Sequence, residues 1–433
     1  MRAPAVAVGL FALGSLFAVP AAAQVRVWSD GPSPEEGAPS PVGPTRFLDL
    51  TAFAQPGFIV RGDDDFAGRT DDTFWLQRAR FGFTAQLFEW LRMRMEVEFA
   101  PVTLLQDAFL DVVPHPAIQL RVGQFLVPFL RAYSFNELNL GFLDRPVYVP
   151  ISPDRSFIRY LSPRDVGAMV HGLIGDPTPR GTDPVLAYQA GAFIGRGANI
   201  AQNDNGMFLL AVRLELHVLG VPEGRDAESD LARNDNARVA VATSAYSNCD
   251  DRGNWNRGFA IDSELRYAGL YASAGFVWFR NSVGGAFFAE PSACRGNFDP
   301  TGAPLDFVSR GAHLQVQYVL DRAIFPIDGM DLEVLARIDW VDANSPYDDG
   351  NPIFGGGSDT PGYIAPANFT DSDNPPTRWR LTFGVNWFLT GDQQLRLGIN
   401  YQHNREDELV VTSDGFVRDI NNDIFWIQLT AGL

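Results

Sequence analysis

Leu91-Arg92-Met93-Arg94-Met95-Glu96-Val97-Glu98-Phe99 alternates without a break, apolar at every odd position and charged at every even one. Successive side chains of a β-strand point to opposite faces. Leu91, Met93, Met95, Val97 and Phe99 would then share one face, with two arginines and two glutamates on the other. A helix would scatter those charges around its surface, so a period of two decides for a strand. Upstream, Ala79, Phe81, Phe83, Ala85 and Leu87 alternate with Arg78, Arg80, Gly82, Thr84 and Gln86. The short Phe88–Trp90 connection between the two runs predicts a hairpin.

The same alternation recurs to the last residue, for example in Phe208–Val218, Ala312–Leu320, Leu381–Leu389, Leu395–Gln402 and Phe425–Leu433. It predicts sixteen strands, at about 46–60, 74–87, 91–100, 105–113, 117–126, 164–174, 185–195, 206–218, 236–246, 257–268, 270–280, 308–320, 330–342, 377–389, 394–404 and 422–433. Connections near 88–90, 113–116, 268–270 and 390–393 are tight; those at 61–73, 126–163, 281–307, 343–376 and 405–421 are long and polar. Short turns on one side and long loops on the other are the signature of an all-β, sixteen-stranded antiparallel transmembrane β-barrel of the outer membrane. Two soluble β-sandwiches would also show period two. Against them stand the even strand count, the charges, amides and glycines of the polar faces, and aromatics near strand ends. Those aromatics are Trp75, Trp90, Phe99, Trp278, Trp340, Trp387 and Trp426, read as interface girdles.

Composition narrows the functions. Of 433 residues 20% are charged, and all 34 basic residues are arginine against 52 acids, a net charge of −18. That balance disfavours a nucleic-acid binder. Two cysteines exclude a disulfide framework or a cysteine-rich metal domain. Beyond the first two dozen residues no apolar run approaches the roughly 20 residues of a transmembrane helix. Residues 1–23, with Arg2, a short apolar core and Ala21-Ala22-Ala23, read as a secretory signal peptide. Residues 24–44, rich in Pro, Gly and Ser, read as a flexible tether, and 45–433 as the barrel.

Several blocks resemble the phosphate-selective porin O/P family: Leu76-Gln77-Arg78-Ala79-Arg80-Phe81-Gly82-Phe83, Arg121 through Phe129, and Arg164-Asp165-Val166-Gly167. Ala336-Arg337-Ile338-Asp339 with Asp342, Gly384-Val385-Asn386-Trp387 and Asn400-Tyr401-Gln402-His403 add to the resemblance, which spans about 74–433. It implies a sixteen-stranded trimeric channel whose third long loop folds into the pore, assembled by the barrel-assembly machinery. The chain departs from the family in having no lysine and in ending on Leu433 rather than an aromatic. Arginine binds phosphate at least as well, through its planar fork.

The segment 74–167 holds ten arginines and nine acids, so the acidic excess lies elsewhere, in stretches such as Asp63-Asp64-Asp65, Asp250-Asp251 and Asp348-Asp349. Those acidic loops read as a solvated surface, the alternative being cation bridges to lipopolysaccharide. Arg78, Arg80, Arg92, Arg94 and Arg121 either line the lumen as anion sites or pair with Glu96, Glu98, Asp107 and Asp111 across neighbouring strands; both readings stay open. The 126–163 connection is far longer than a hairpin turn. It mixes Leu138, Leu140, Phe142, Val147, Val149 and Ile151 with Arg131, Arg145, Arg155 and Arg159. So many apolar groups predict an inward fold that brings its arginines to the others. Converting Arg78, Arg80, Arg92 and Arg94 to glutamine is then expected to shift permeability away from anions without unfolding the barrel.

Cys249 and Cys294 fall in loops on one rim in an oxidising compartment, and a disulfide between them is expected. His115, His171, His217, His313 and His403 are scattered, without metal-site spacing, and Gly355-Gly356-Gly357 has no following helix to make a phosphate cradle. No cofactor or catalytic residue is expected. The reading is a passive porin for small hydrophilic solutes, anions such as phosphate foremost, embedded among outer-membrane lipid and lipopolysaccharide. A general, sugar- or cation-preferring porin is the alternative within that class. An outer-membrane enzyme, which needs a Ser/His or Asp/His cluster on one rim, and an adhesive barrel are the rivals outside it.

Overall fold

The computed structural model describes residues 25–29, 46–61, 72–149, 163–176, 181–200, 202–203, 206–249, 255–283, 305–321, 324–345, 378–406, 410–412, 415–417 and 423–433. In chain order its strands are β1 (Val25–Ser29), β2 (Phe47–Arg61), β3 (Thr73–Phe88), β4 (Leu91–Ala100), β5 (Leu104–His115), β6 (Ile118–Leu126), β7 (Arg164–Ile174), β8 (Val185–Phe193), β9 (Leu209–His217) and β10 (Arg238–Cys249). There follow β11 (Trp255–Tyr267), β12 (Leu270–Val283), β13 (Leu305–Val319), β14 (Asp331–Ser345), β15 (Arg378–Phe388), β16 (Leu395–Glu406), β17 (Val410–Thr412), β18 (Gly415–Val417) and β19 (Ile424–Gly432).

Sixteen of these, β2 to β16 and β19, form one closed antiparallel barrel. Each pairs with its sequence neighbours, and β19 returns to β2 with Ile424 opposite Arg61 and Gly432 opposite Phe53. Closure leaves no unpaired edge, which the hydrocarbon of a bilayer demands.

Alternation sets the two surfaces. Phe81, Leu110, Val122, Leu214, Val316, Phe383 and Leu429 point outward and are exposed, while Arg80, Asp111, Arg213, Gln315, Thr382 and Gln428 point inward and are buried. Keeping one large apolar side chain in water costs about 1.5–3 kcal/mol. A full belt of them is tolerable only against lipid. Every predicted strand is present. At the long-loop end several run further than expected, β12 to Val283 and β14 to Ser345, because ladder hydrogen bonds continue where the apolar alternation stops.

Three features differ from expectation. Val25–Ser29, inside the stretch read as a tether, is a strand: Val25 pairs with Leu50 and Ser29 with Phe47 at the short-turn end of β2. Trp75 and Trp426 are not girdle residues; they meet edge to face at 5.4 Å in an apolar cluster with Ile59 and Leu143. The long connection after β16 carries its own small hairpin, β17 with β18. The expected signal peptide lies outside the described residues.

Candidate functional site: the lumen and its two inserts

The connection after β6 enters the lumen. From Val127 it forms one helical turn, α1 (Arg131–Ser134), then a 3-10 turn at Glu137–Asn139. Phe129, Leu130, Tyr133, Phe135, Leu138, Leu140, Phe142, Leu143, Tyr148 and Val149 are all buried. The strands make room with glycine: a Cβ on Gly311 would stand 2.5 Å from Tyr148 Cβ, and one on Gly398 2.6 Å from Leu143 Cδ2. A loop buried this way must find partners for its backbone carbonyls, and wall side chains supply them. Arg213 donates to Phe129 O (3.2 Å), Gln55 to Glu137 O (3.2 Å), Asn386 to Gly141 O (2.7 Å) and Gln77 to Leu143 O (3.3 Å). Arg337 donates to Asp144 O (2.8 Å) and Arg145 O (3.1 Å), and Arg396 to Leu140 O. The amides and guanidiniums read as a wet lumen therefore serve in good part as the solvent of this loop.

A second insert comes from the opposite end. The β9–β10 connection, 218–237, lies on the short-turn side, where neighbouring turns such as Ala268-Gly269 are two residues long. Arg266, fully buried, donates to the carbonyls of Gly224, Arg225, Ala227 and Ser229. Ser229 Oγ donates to Glu333 (2.6 Å), and Asp230 accepts from Gly269 N (2.7 Å). The two inserts meet in the lumen: Glu228 N donates to Asn139 O (2.8 Å), and Gly141 N to Glu228 Oε2 (3.3 Å). This insert went unremarked in the sequence, although its length breaks the short-then-long rhythm of the connections.

The charges form networks. Arg80 pairs with Glu96 (3.1 Å), Glu98 (2.6 Å) and Glu137; Arg145 also reaches Glu137 (3.0 Å). Arg94 contacts Glu96 (3.0 Å) and Asp107 (3.7 Å), and Arg164 binds Asp107 (2.8 Å). Arg121 grips Asp111 with both arms, at 2.7 and 2.8 Å. Arg131 joins Glu215 (3.1 Å) and Glu264. Burial opposes ionisation of Glu137, but the guanidiniums of Arg80, Arg145 and Arg78 outweigh it and hold its carboxyl well below the usual carboxylate range. Arg78 and Arg92 bond to the amides of Gln55 and Gln86 and make no contact ion pair among the described residues, although Arg78 feels the charge of Glu137. Asp111, opposite Arg92 in register, is already taken by Arg121. Arg155 and Arg159 lie outside the described residues.

Arg80, Arg94, Arg121, Arg145 and Arg164 are thus ion-paired with Glu96, Glu98, Asp107, Asp111 and Glu137, and Arg78 and Arg92 are not. Water reaches the β4–β6 wall, where Arg92 is exposed and the side chains of Arg94 and Arg121 keep 29% and 24% of their accessibility. Across the barrel, Arg266, Glu333, Asp339 and Arg396 are closed off.

Cys249 ends β10, buried and disulfide-bonded; Cys294 lies outside the described residues. The histidines are dispersed: His313 Nδ1 lies 2.7 Å from Tyr148 Oη, and His171 3.5 Å from Asp111. An Asp/His pair does exist near the long-loop rim, His403 with Asp423 at 2.9 Å, facing outward beside Tyr401.

The fold is that of outer-membrane porin channels. No family model matches the sequence, and no curated protein matches it either. Among solved structures, the outer membrane channel DcaP of Acinetobacter baumannii is 12% identical with a TM-score of 0.51, over 90% of this chain and 97% of that one. OprB of Pseudomonas putida is 10% identical with a TM-score of 0.53, over 90% and 94%. Identities this low speak for the fold alone.

Proposed function

We propose that this chain is a passive outer-membrane diffusion channel for small hydrophilic anions, of the phosphate-selective porin O/P kind that its motifs resemble. The water-accessible strip of Arg92 and Arg94 on β4 and Arg121 on β6, either side of β5, with Arg92 lacking a carboxylate partner among the described residues, carries the reading. An anion moving along it exchanges hydration for guanidinium donors whose planar fork fits phosphate oxygens. Passage needs no covalent step, only a wet path, fixed charges and a narrow place. The two inserts block the far side of the lumen and confine solutes to this strip. Within the same reading, residues 1–23 are a cleaved signal peptide, and the barrel-assembly machinery inserts the chain as a trimer among outer-membrane lipid.

The test is the reversal potential in a potassium chloride gradient, followed by addition of phosphate. Anion selectivity with phosphate reducing the chloride current is expected. A cation-selective channel overturns the proposal.

A further inference from the structure

The outer face of β11–β13 carries another set of arginines, which the channel does not use. At the long-loop end, Arg257 on β11 stands opposite Arg280 on β12. Arg310 on β13 stands opposite Trp278, one side-chain step nearer the apolar belt, and on its other side opposite Asp342 of β14, so it joins the cluster as a third donor with a carboxylate behind it. Phe259 pairs with Trp278 and Ile261 with Phe276 directly beneath. The three arginines share the outward face with Phe259, Ile261, Phe276, Leu314 and Val316, all exposed, whereas the alternate residues Ala260, Phe279 and Ser309 are buried. Arg257 and Arg280 are exposed and Arg310 is half-buried. At the same end of β3 and β4 the outward residues Phe74, Leu76 and Phe99 are apolar instead.

Directly opposed residues in an antiparallel pair stand about 5 Å apart and diagonal ones about 7–8 Å, so Arg257 and Arg280 can share one tetrahedral anion and Arg310, diagonal to Arg280, can reach toward it from the next strand. Two like charges in register oppose each other, and a shared anion turns that repulsion into attraction. A guanidinium has five donors, so the contacts Arg257 and Arg280 make within the protein leave others for a ligand. Trp278 lies beneath them, at the depth where indoles mark the edge of the hydrocarbon.

We infer that Arg257, Arg280 and Arg310, seated over Trp278, bind the phosphate of an outer-leaflet lipid headgroup. A lipid source is favoured over free phosphate because the cluster sits on the outside of the wall, immediately above the lipid-facing belt. The inference rests on the outer-membrane reading but not on ion selectivity.

The mature chain, reconstituted in phosphatidylcholine vesicles with diphosphoryl or dephosphorylated lipid A, is extracted in mild detergent and its retained lipid counted by native mass spectrometry. Retention of the diphosphoryl form is expected to exceed that of the dephosphorylated form by about tenfold or more, since several charge-assisted hydrogen bonds are at stake. The R257Q/R280Q/R310Q variant should lose that preference while keeping its heat-shifted migration and its conductance. Equal retention of the two lipids by the unaltered chain overturns the inference, with or without a folded variant, and so does displacement of the lipid by millimolar inorganic phosphate. A barrel that retains lipid A but does not conduct defeats the channel reading and leaves this one standing.

Discussion

Arg92 and Arg80 lie on adjoining strands and face the same lumen, yet their replacement by glutamine should have opposite consequences. Arg92 is exposed and bonded to the Gln86 amide at 3.2 Å, with no carboxylate partner among the described residues. A unit charge about 4 Å from a passing anion in a water-like medium contributes ~1 kcal/mol. Its loss in Arg92→Gln should lower anion occupancy of the strip about fivefold and move the reversal potential toward the cation side. The barrel should keep its wild-type heat-shifted migration, because no carboxylate is orphaned. Arg80 is buried against Glu96, Glu98 and Glu137. Removing one partner of a buried pair costs about 3–5 kcal/mol. Arg80→Gln should therefore free the loop that carries Glu137 and lower the yield of folded barrel. That outcome would run against the expectation that Arg78, Arg80, Arg92 and Arg94 can be replaced together without unfolding. Bilayer recordings and the gel shift read both effects. An unchanged reversal potential for Arg92→Gln, or wild-type stability for Arg80→Gln, refutes the division between free and paired arginines.

Glu137 titrates below the range of a free carboxyl, so its contribution is complete above about pH 4.3 and is lost only as pH falls through its lower folded value. Protease resistance of the loop at pH 4.5 should match that at pH 7; loss of protection near pH 5 would contradict the network. Gly311→Val forces its side chain against Tyr148 and should cost about 1–3 kcal/mol, read as a larger, noisier conductance when the loop leaves the wall. Arg266→Met strips four carbonyls of their donor and should release the 218–237 insert, again raising conductance; a wild-type value would show that the insert does not narrow the path. Non-reducing gels and thiol labelling should show a Cys249–Cys294 bridge, and labelling of both residues in the intact chain counts against it.

The barrel was legible because its physics is local in sequence. A strand between lipid and lumen must alternate, and Leu91–Phe99 declares both faces in nine residues. Where that demand ends, legibility ends. The upper parts of β12 to β14 stand above the apolar belt and lose the pattern, and β1 is held by pairing with Phe47–Leu50, which no periodicity of five residues announces. Trp75 and Trp426 misled because an aromatic near a strand end serves a girdle or an inward cluster equally well. Only parity relative to Phe425 and Ile427 separates the two uses.

The lumen is harder to read because its contacts join residues far apart in the chain. Arg337 enters the sequence reading only within a family-like motif, yet it donates to the carbonyls of Asp144 and Arg145, nearly two hundred residues away. What decides whether an arginine acts on solutes is the count of acceptors that folding brings to it. Arg80 meets three carboxylates from β4 and the long loop, whereas Arg92 is left with an amide because Arg121 reaches Asp111 first. The pairing alternative is realised for Arg80, Arg94 and Arg121, whereas Arg78 and Arg92 make no ion pair among the described residues. Paired arginines hold the inserts in place, and in the proposed channel Arg92, facing water at the start of β4, is the one of this group on β4 and β6 that keeps its charge without a carboxylate among the described residues.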